Sequence, residues 1–89
     1  MLAKIVMKKE WTMTISPAQC RAARGLLEWS QDELAKAAGV GLSTVRDFEK
    51  GRRQPIANNM AAIRSALEKA GLDFIPENGG GAGVRLVKK

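Results

Sequence analysis

The chain has no histidine among its 89 residues, which removes the commonest general base and the commonest neutral metal ligand together. Its single cysteine, Cys20, cannot close an internal disulfide or supply a thiolate cluster, and it agrees with a reducing compartment. No apolar run approaches the roughly 18 residues that a membrane-spanning helix needs. Lys8, Lys9 and Glu10 interrupt the early apolar stretch, so no secretory signal is expected and the cytoplasm is the default location. No glycine-rich loop leads into Lys-Ser or Lys-Thr, as a nucleotide phosphate site requires. Neither an enzyme, nor a metal site, nor a cofactor is therefore expected.

What is present is positive charge. Fifteen Lys and Arg face nine Asp and Glu, for a net charge of +6 and an isoelectric point near 10.0. Such a balance favours a polyanionic partner, and nucleic acid is the most abundant one. The excess is not concentrated, however: residues 13–71 carry nine basic and six acidic side chains, half of the total surplus. Particular positions, rather than bulk charge, have to identify the partner. At 45% hydrophobic and 27% charged, the composition is that of a globular chain with one modest core.

The middle of the chain is punctuated for helices. Ser16-Pro17-Ala18-Gln19 places a capping residue, a proline at the first helical position and a glutamine three residues after the cap. A helix is predicted from about Pro17 to Glu28, with Cys20, Ala23 and Leu27 as its apolar stripe; Cys20 then reads as a small buried hydrophobe. Ser30-Gln31-Asp32-Glu33 is a second capping box with acidic residues in the first turn, and Gly39 stops the short helix it opens. A third helix is predicted over 42–50, with Val45 and Phe48 inward and Gly51 as its C-terminal cap. Arg52-Arg53-Gln54-Pro55 reads as an exposed basic loop. A fourth helix is predicted from Asn58 or Asn59 to Gly71, its apolar face formed by Met60, Ile63, Leu67 and Ala70.

The two ends leave alternatives open. Residues 72–89 read either as two short strands around the glycine-rich turn at 78–83 or as a flexible tail; a lone hairpin would need to dock on the helices or on another chain. Residues 1–12 form an N-terminal extension. Lys9-Glu10-Trp11 can be encoded by a purine-rich stretch resembling a ribosome-binding site ahead of Met13, which makes a translated leader one reading. The alternation of Trp11 to Ile15 makes a strand the other.

Two short helices joined by a turn at Gly39 have the form of a helix-turn-helix, with Leu42, Ser43, Arg46 and Asp47 turned outward on the second of them. The run RAARGLLEWSQDELAKAAGVGLSTVRDFEKGRRQP, residues 21–55, resembles the Cro/C1-type (xenobiotic-response-element) family of bacterial and phage repressors. WSQDELA, STVRDFEKG and the proline after the basic loop carry the resemblance. It implies an all-α, lambda-repressor-like bundle of four or so helices, joined here to the C-terminal hairpin or tail, with 13–71 as the DNA-binding domain. It also implies that Gln31 contacts a phosphate, that Leu42, Ser43 and Asp47 occupy base-reading positions and that Thr44 contacts the DNA backbone. Arg24 and Glu49 match a pair that ties the first helix to the recognition helix.

The residues themselves add Arg46 as a reader of guanine or a phosphate contact, and Lys50, Arg52 and Arg53 as phosphate contacts beyond the recognition helix. Asp47 either accepts from a cytosine amino group or pairs with Arg46. Gly41 stands where the family usually has a capping Ser or Thr, which leaves the recognition helix without a side-chain cap. One module of this size reads few bases, so a homodimer on a palindromic operator is expected, with half-sites about one helical turn apart and the C-terminal strands as one route to pairing. The function expected is a bacterial cytoplasmic transcriptional regulator, most simply a repressor. The alternatives are an antitoxin-type autorepressor that holds a protein partner through its hairpin, and an interaction module that has lost DNA binding. No membrane association is expected.

Overall fold

The computed structural model describes residues 14–87; the N-terminal extension at 1–12, with its two readings, lies outside them. Four helices are followed by a two-stranded sheet: α1 (Pro17–Leu27), α2 (Gln31–Ala38), α3 (Leu42–Glu49), α4 (Ala57–Lys69), β1 (Leu72–Ile75) and β2 (Gly83–Leu86). The architecture is the expected helical bundle, and the C-terminal segment forms the hairpin rather than the tail.

Both predicted capping boxes are formed. Ser16 Oγ accepts from the Gln19 amide at 3.0 Å while Gln19 Oε1 accepts from the Ser16 amide at 2.8 Å. Ser30 and Glu33 repeat the exchange at 3.0 and 2.7 Å. Each box satisfies two of the backbone donors that a helix start leaves unpaired. Ile15 and Trp29 precede the two caps and pack with the core, where an apolar residue fixes the angle at which the chain enters a helix.

The first three helices end alike. Behind α3, Gly51 takes a left-handed backbone (φ 75°), its amide donates to the Phe48 carbonyl at 3.0 Å, and the Arg52 amide reaches back to the Asp47 carbonyl at 2.9 Å. This paired closure uses carbonyls that the helix end would otherwise strand. Gly39 (φ 71°) does the same for α2 through Val40 and Ala35. Behind α1 the left-handed residue is Glu28 (φ 58°), so α1 stops one residue short of the predicted end. Likewise Lys50 is the cap of α3 rather than its last residue.

The core gathers one face of each element. Cys20, Leu34, Val45, Ile63 and Leu67 are wholly buried and Phe48 nearly so. In α1 the buried residues are Gln19, Cys20 and Ala23, while Leu27 packs at the margin. α4 starts at Ala57, ahead of the predicted Asn58 or Asn59, and ends at Lys69, short of the predicted Gly71; on its inner face Ala66 is buried and Ala70, the C-cap, only half so.

β1 and β2 pair antiparallel with Leu72 opposite Leu86 and Phe74 opposite Val84. Directly opposed residues share a face, and this face turns its apolar side to the helices: Leu72 and Phe74 join the core. The Arg64 guanidinium of α4 lies 5.5 Å from the Phe74 ring centroid, a cation–π contact across the same seam. The other face carries an ion pair between Arg85 and Asp73 at 3.1 Å.

Candidate nucleic-acid interface

α2, the turn at Gly39 and α3 form the two-helix unit. Val45 and Phe48 pin α3 to the core by its inner side. Ser43 and Arg46 are exposed, and Thr44 and Asp47 are partly so. Leu42 is half-buried and packs against the core margin, so only part of its side chain is available outside. Gly41 begins α3 with no side-chain cap. Asp47 makes no ion pair with Arg46, and both remain without an oppositely charged partner among the described residues. A hollow of about 230 Å³ runs beside the helix, bounded by Ser43, Thr44 and Asp47 on one side and by Arg53, Pro55, Ile56 and Asn59 on the other.

The end of α3 is fixed by a network centred on Glu49, whose side chain is buried. Arg24 binds the carboxylate in a fork, Nε to Oε2 and Nη2 to Oε1, both at 2.7 Å. Gln31 Nε2 donates to Oε1 at 2.9 Å and Cys20 Sγ donates to Oε2 at 3.1 Å. Burial pushes the Glu49 carboxyl up, but the hydrogen bonds from Arg24, Gln31 and Cys20 and the charge on Arg24 outweigh it, leaving the group below its ordinary value. Burial foremost, and then the bond to Glu49, raise the Cys20 thiol well above its usual range, so it stands as a neutral donor. Arg24 also donates from Nη1 to the Trp29 carbonyl at 3.0 Å.

Arg21, on the exposed side of α1, donates from Nη1 to the backbone carbonyl of Glu49. That places a second basic side chain of α1 at the end of the recognition helix. Sequence reasoning passes over Arg21 because nothing local distinguishes it from any other surface arginine. The available signal is its spacing of three from Arg24, which puts both on one side of α1.

Among the described residues, most cations elsewhere are spoken for. Lys36 pairs with Asp32, Arg64 with Glu68 and Arg85 with Asp73, and Arg24 holds Glu49. Among the described residues, those left without an ion pair are Arg21, Arg46, Lys50, Arg52, Arg53 and Lys69. All except Lys69 lie on α3, directly after it, or on α1 at its end. Because Arg52 and Arg53 both donate their backbone amides to the Asp47 carbonyl, the basic loop is folded against α3 rather than left to wander.

No curated protein shows significant similarity to the chain. A family model described as helix-turn-helix matches residues 21–73, which takes in α2, α3, α4 and most of α1. With its four-helix bundle and a match over more than half of its length, the chain belongs to the Cro/C1-type helix-turn-helix family of DNA-binding regulators.

Proposed function

We propose that the protein is a sequence-specific transcriptional regulator, acting as a repressor in a bacterial cytoplasm, and that α3 enters the major groove. The observation that carries this reading is the distribution of unpaired cations: among the described residues, Arg46, Lys50, Arg52, Arg53 and Arg21 lie on or beside α3 without an ion pair, while Arg24, Lys36, Arg64 and Arg85 are neutralised. Unpaired lysine and arginine on one side of a small domain are the electrostatic footprint of phosphate binding. Ser43, Arg46, Asp47 and the outer part of Leu42 are the base readers. Gln31, Thr44, Lys50, Arg52 and Arg53 hold the phosphates. Asp47, with no cation of its own, is free to accept from a cytosine amino group, which points to a C·G pair in the site. Residues 13–71 then form the DNA-binding domain and 72–89 the C-terminal segment, whose strands Leu72–Ile75 and Gly83–Leu86 make the docked hairpin.

The expected partner is a palindromic operator bound by a homodimer, with half-sites roughly 34 Å apart. A second reading, an antitoxin-type autorepressor, is supported by the end of β2, where Leu86 and Val87 stay 54% and 47% exposed. Selection from a pool of random duplexes tests the main reading. A palindrome containing a C·G pair that Asp47→Asn stops preferring is the expected result. Enrichment of no sequence, with no retention of any duplex at low salt, overturns it and leaves the hairpin's protein partner as the function.

A further inference from the structure

Glu49 carries more hydrogen bonds than an ion pair between two helices requires. A carboxylate offers about four lone-pair positions and no donor. Here Arg24 occupies two of them as a planar fork, Cys20 takes a third and Gln31 a fourth, so the group cannot turn. It is 3% exposed, shielded from competing water. An acceptor held in that way dictates the orientation of the amide it meets: the nitrogen of Gln31 must face inward, because its oxygen would meet another oxygen. One N–H of Gln31 is satisfied by Glu49. The other has no partner among the described residues, and Gln31 opens α2 on the half-exposed surface.

We infer that Glu49 is a positioning residue for DNA binding, holding the Gln31 amide with its second N–H ready for a backbone phosphate. This rests on the proposed role of Gln31 as a phosphate contact. Glu49 is also the last residue of the recognition helix. One carboxylate thereby sets the distance between a phosphate clamp on α2 and the base-reading side of α3. A glutamine free in solution loses rotamer freedom when it binds; one already fixed does not, a difference of about three- to tenfold in affinity.

A double-mutant cycle on a duplex of random sequence at low salt tests this, with folding checked by circular dichroism. Gln31→Ala should weaken binding. Glu49→Gln should weaken it about three- to tenfold when Gln31 is present and have no further effect once Gln31→Ala has been made. An equal loss in both backgrounds means that Glu49 acts only through the fold, and the inference fails. If Gln31→Ala changes nothing on any duplex, the phosphate role of Gln31 fails and takes the inference with it. Should Glu49→Gln unfold by stranding Arg24, the paired replacement Arg24→Met with Glu49→Met removes both charges together, a change that folds often tolerate, and enters the same cycle. In the unaltered protein only the outward-facing proton of the Gln31 side-chain amide should shift by NMR on addition of DNA, the one donated to Glu49 staying in place. Shifts of both protons by the same amount would contradict the fixed orientation.

Discussion

At the scale of single residues, the polar groups inside the bundle carry the greatest leverage. Glu49 is charged and buried, and it is tolerated because Arg24, Gln31 and Cys20 all donate to it. Removing Arg24 leaves that charge without its counterion, and Arg24→Ala is expected to lose about 3–5 kcal/mol of stability in urea unfolding. The same network sets a pH dependence. The Glu49 carboxyl lies below its ordinary value of 4.5 in the folded chain, so the unfolded chain takes up its proton first. The stabilisation is complete above pH 4.5 and is lost as pH falls through the lower folded value. Melting followed between pH 7 and pH 3 should show a steeper acid loss in the parent than in Glu49→Gln; equal slopes would assign the acid sensitivity elsewhere. The pairing of Arg24 with Glu49 was legible only through the family resemblance, since 25 residues separate them in the sequence. The contributions of Cys20 and Gln31 were not legible at all. A buried cysteine reads as a hydrophobe until a carboxylate is placed beside it.

At the scale of elements, the helix ends show how local backbone geometry is met. Gly39 and Gly51 adopt left-handed backbones that glycine accepts without strain, whereas Glu28 holds the corresponding conformation at the end of α1 against its own Cβ. Glu28→Gly is expected to raise stability by about 0.5–1 kcal/mol, and the melting temperature by a few degrees; calorimetry checks it. Gln19 does two jobs with one side chain. Its oxygen closes the capping box of α1, and its nitrogen donates to the Gly83 and Ile75 carbonyls at 2.9 and 3.4 Å, fastening the far end of the hairpin. Gln19→Ala should therefore accelerate amide exchange over residues 72–86 more than over α2 and α3, as hydrogen-exchange mass spectrometry would measure. Uniform acceleration would mean that the hairpin is held by Leu72 and Phe74 alone. The capping role of Gln19 was visible in Ser16-Pro17-Ala18-Gln19; the fastening role was not, because it joins atoms 56 and 64 residues apart.

At the scale of the whole molecule, the net charge of +6 gains meaning only from its arrangement. Among the described residues, ion pairs elsewhere leave α3 and its flanks as the main unneutralised basic surface. Arg52→Gln with Arg53→Gln should weaken binding to operator and random duplex alike. The salt dependence should fall by about 0.9 in log–log slope for each phosphate that is no longer neutralised. A weakening restricted to operator would reassign these arginines to base reading. None of the helices among the described residues is long and apolar enough to cross a membrane.

The sequence by itself determined where α1, α2 and α3 start, to within a residue where they stop, and most of the apolar stripe of each helix; the start of α4, whose N-cap Ile56 makes no side-chain cap, was marked less well. Capping boxes, glycine stops and 3.6-residue periodicity relate residues at most a few positions apart, so they are written in the local sequence, although helices this short are held mainly by packing. The tertiary structure alone decided which polar groups meet across elements: Gln31 and Cys20 on Glu49, Gln19 on the hairpin, Arg21 at the end of the recognition helix. Those meetings depend on how the helices cross and how deeply each side chain is buried, and geometry of that kind is set only when the shared core closes.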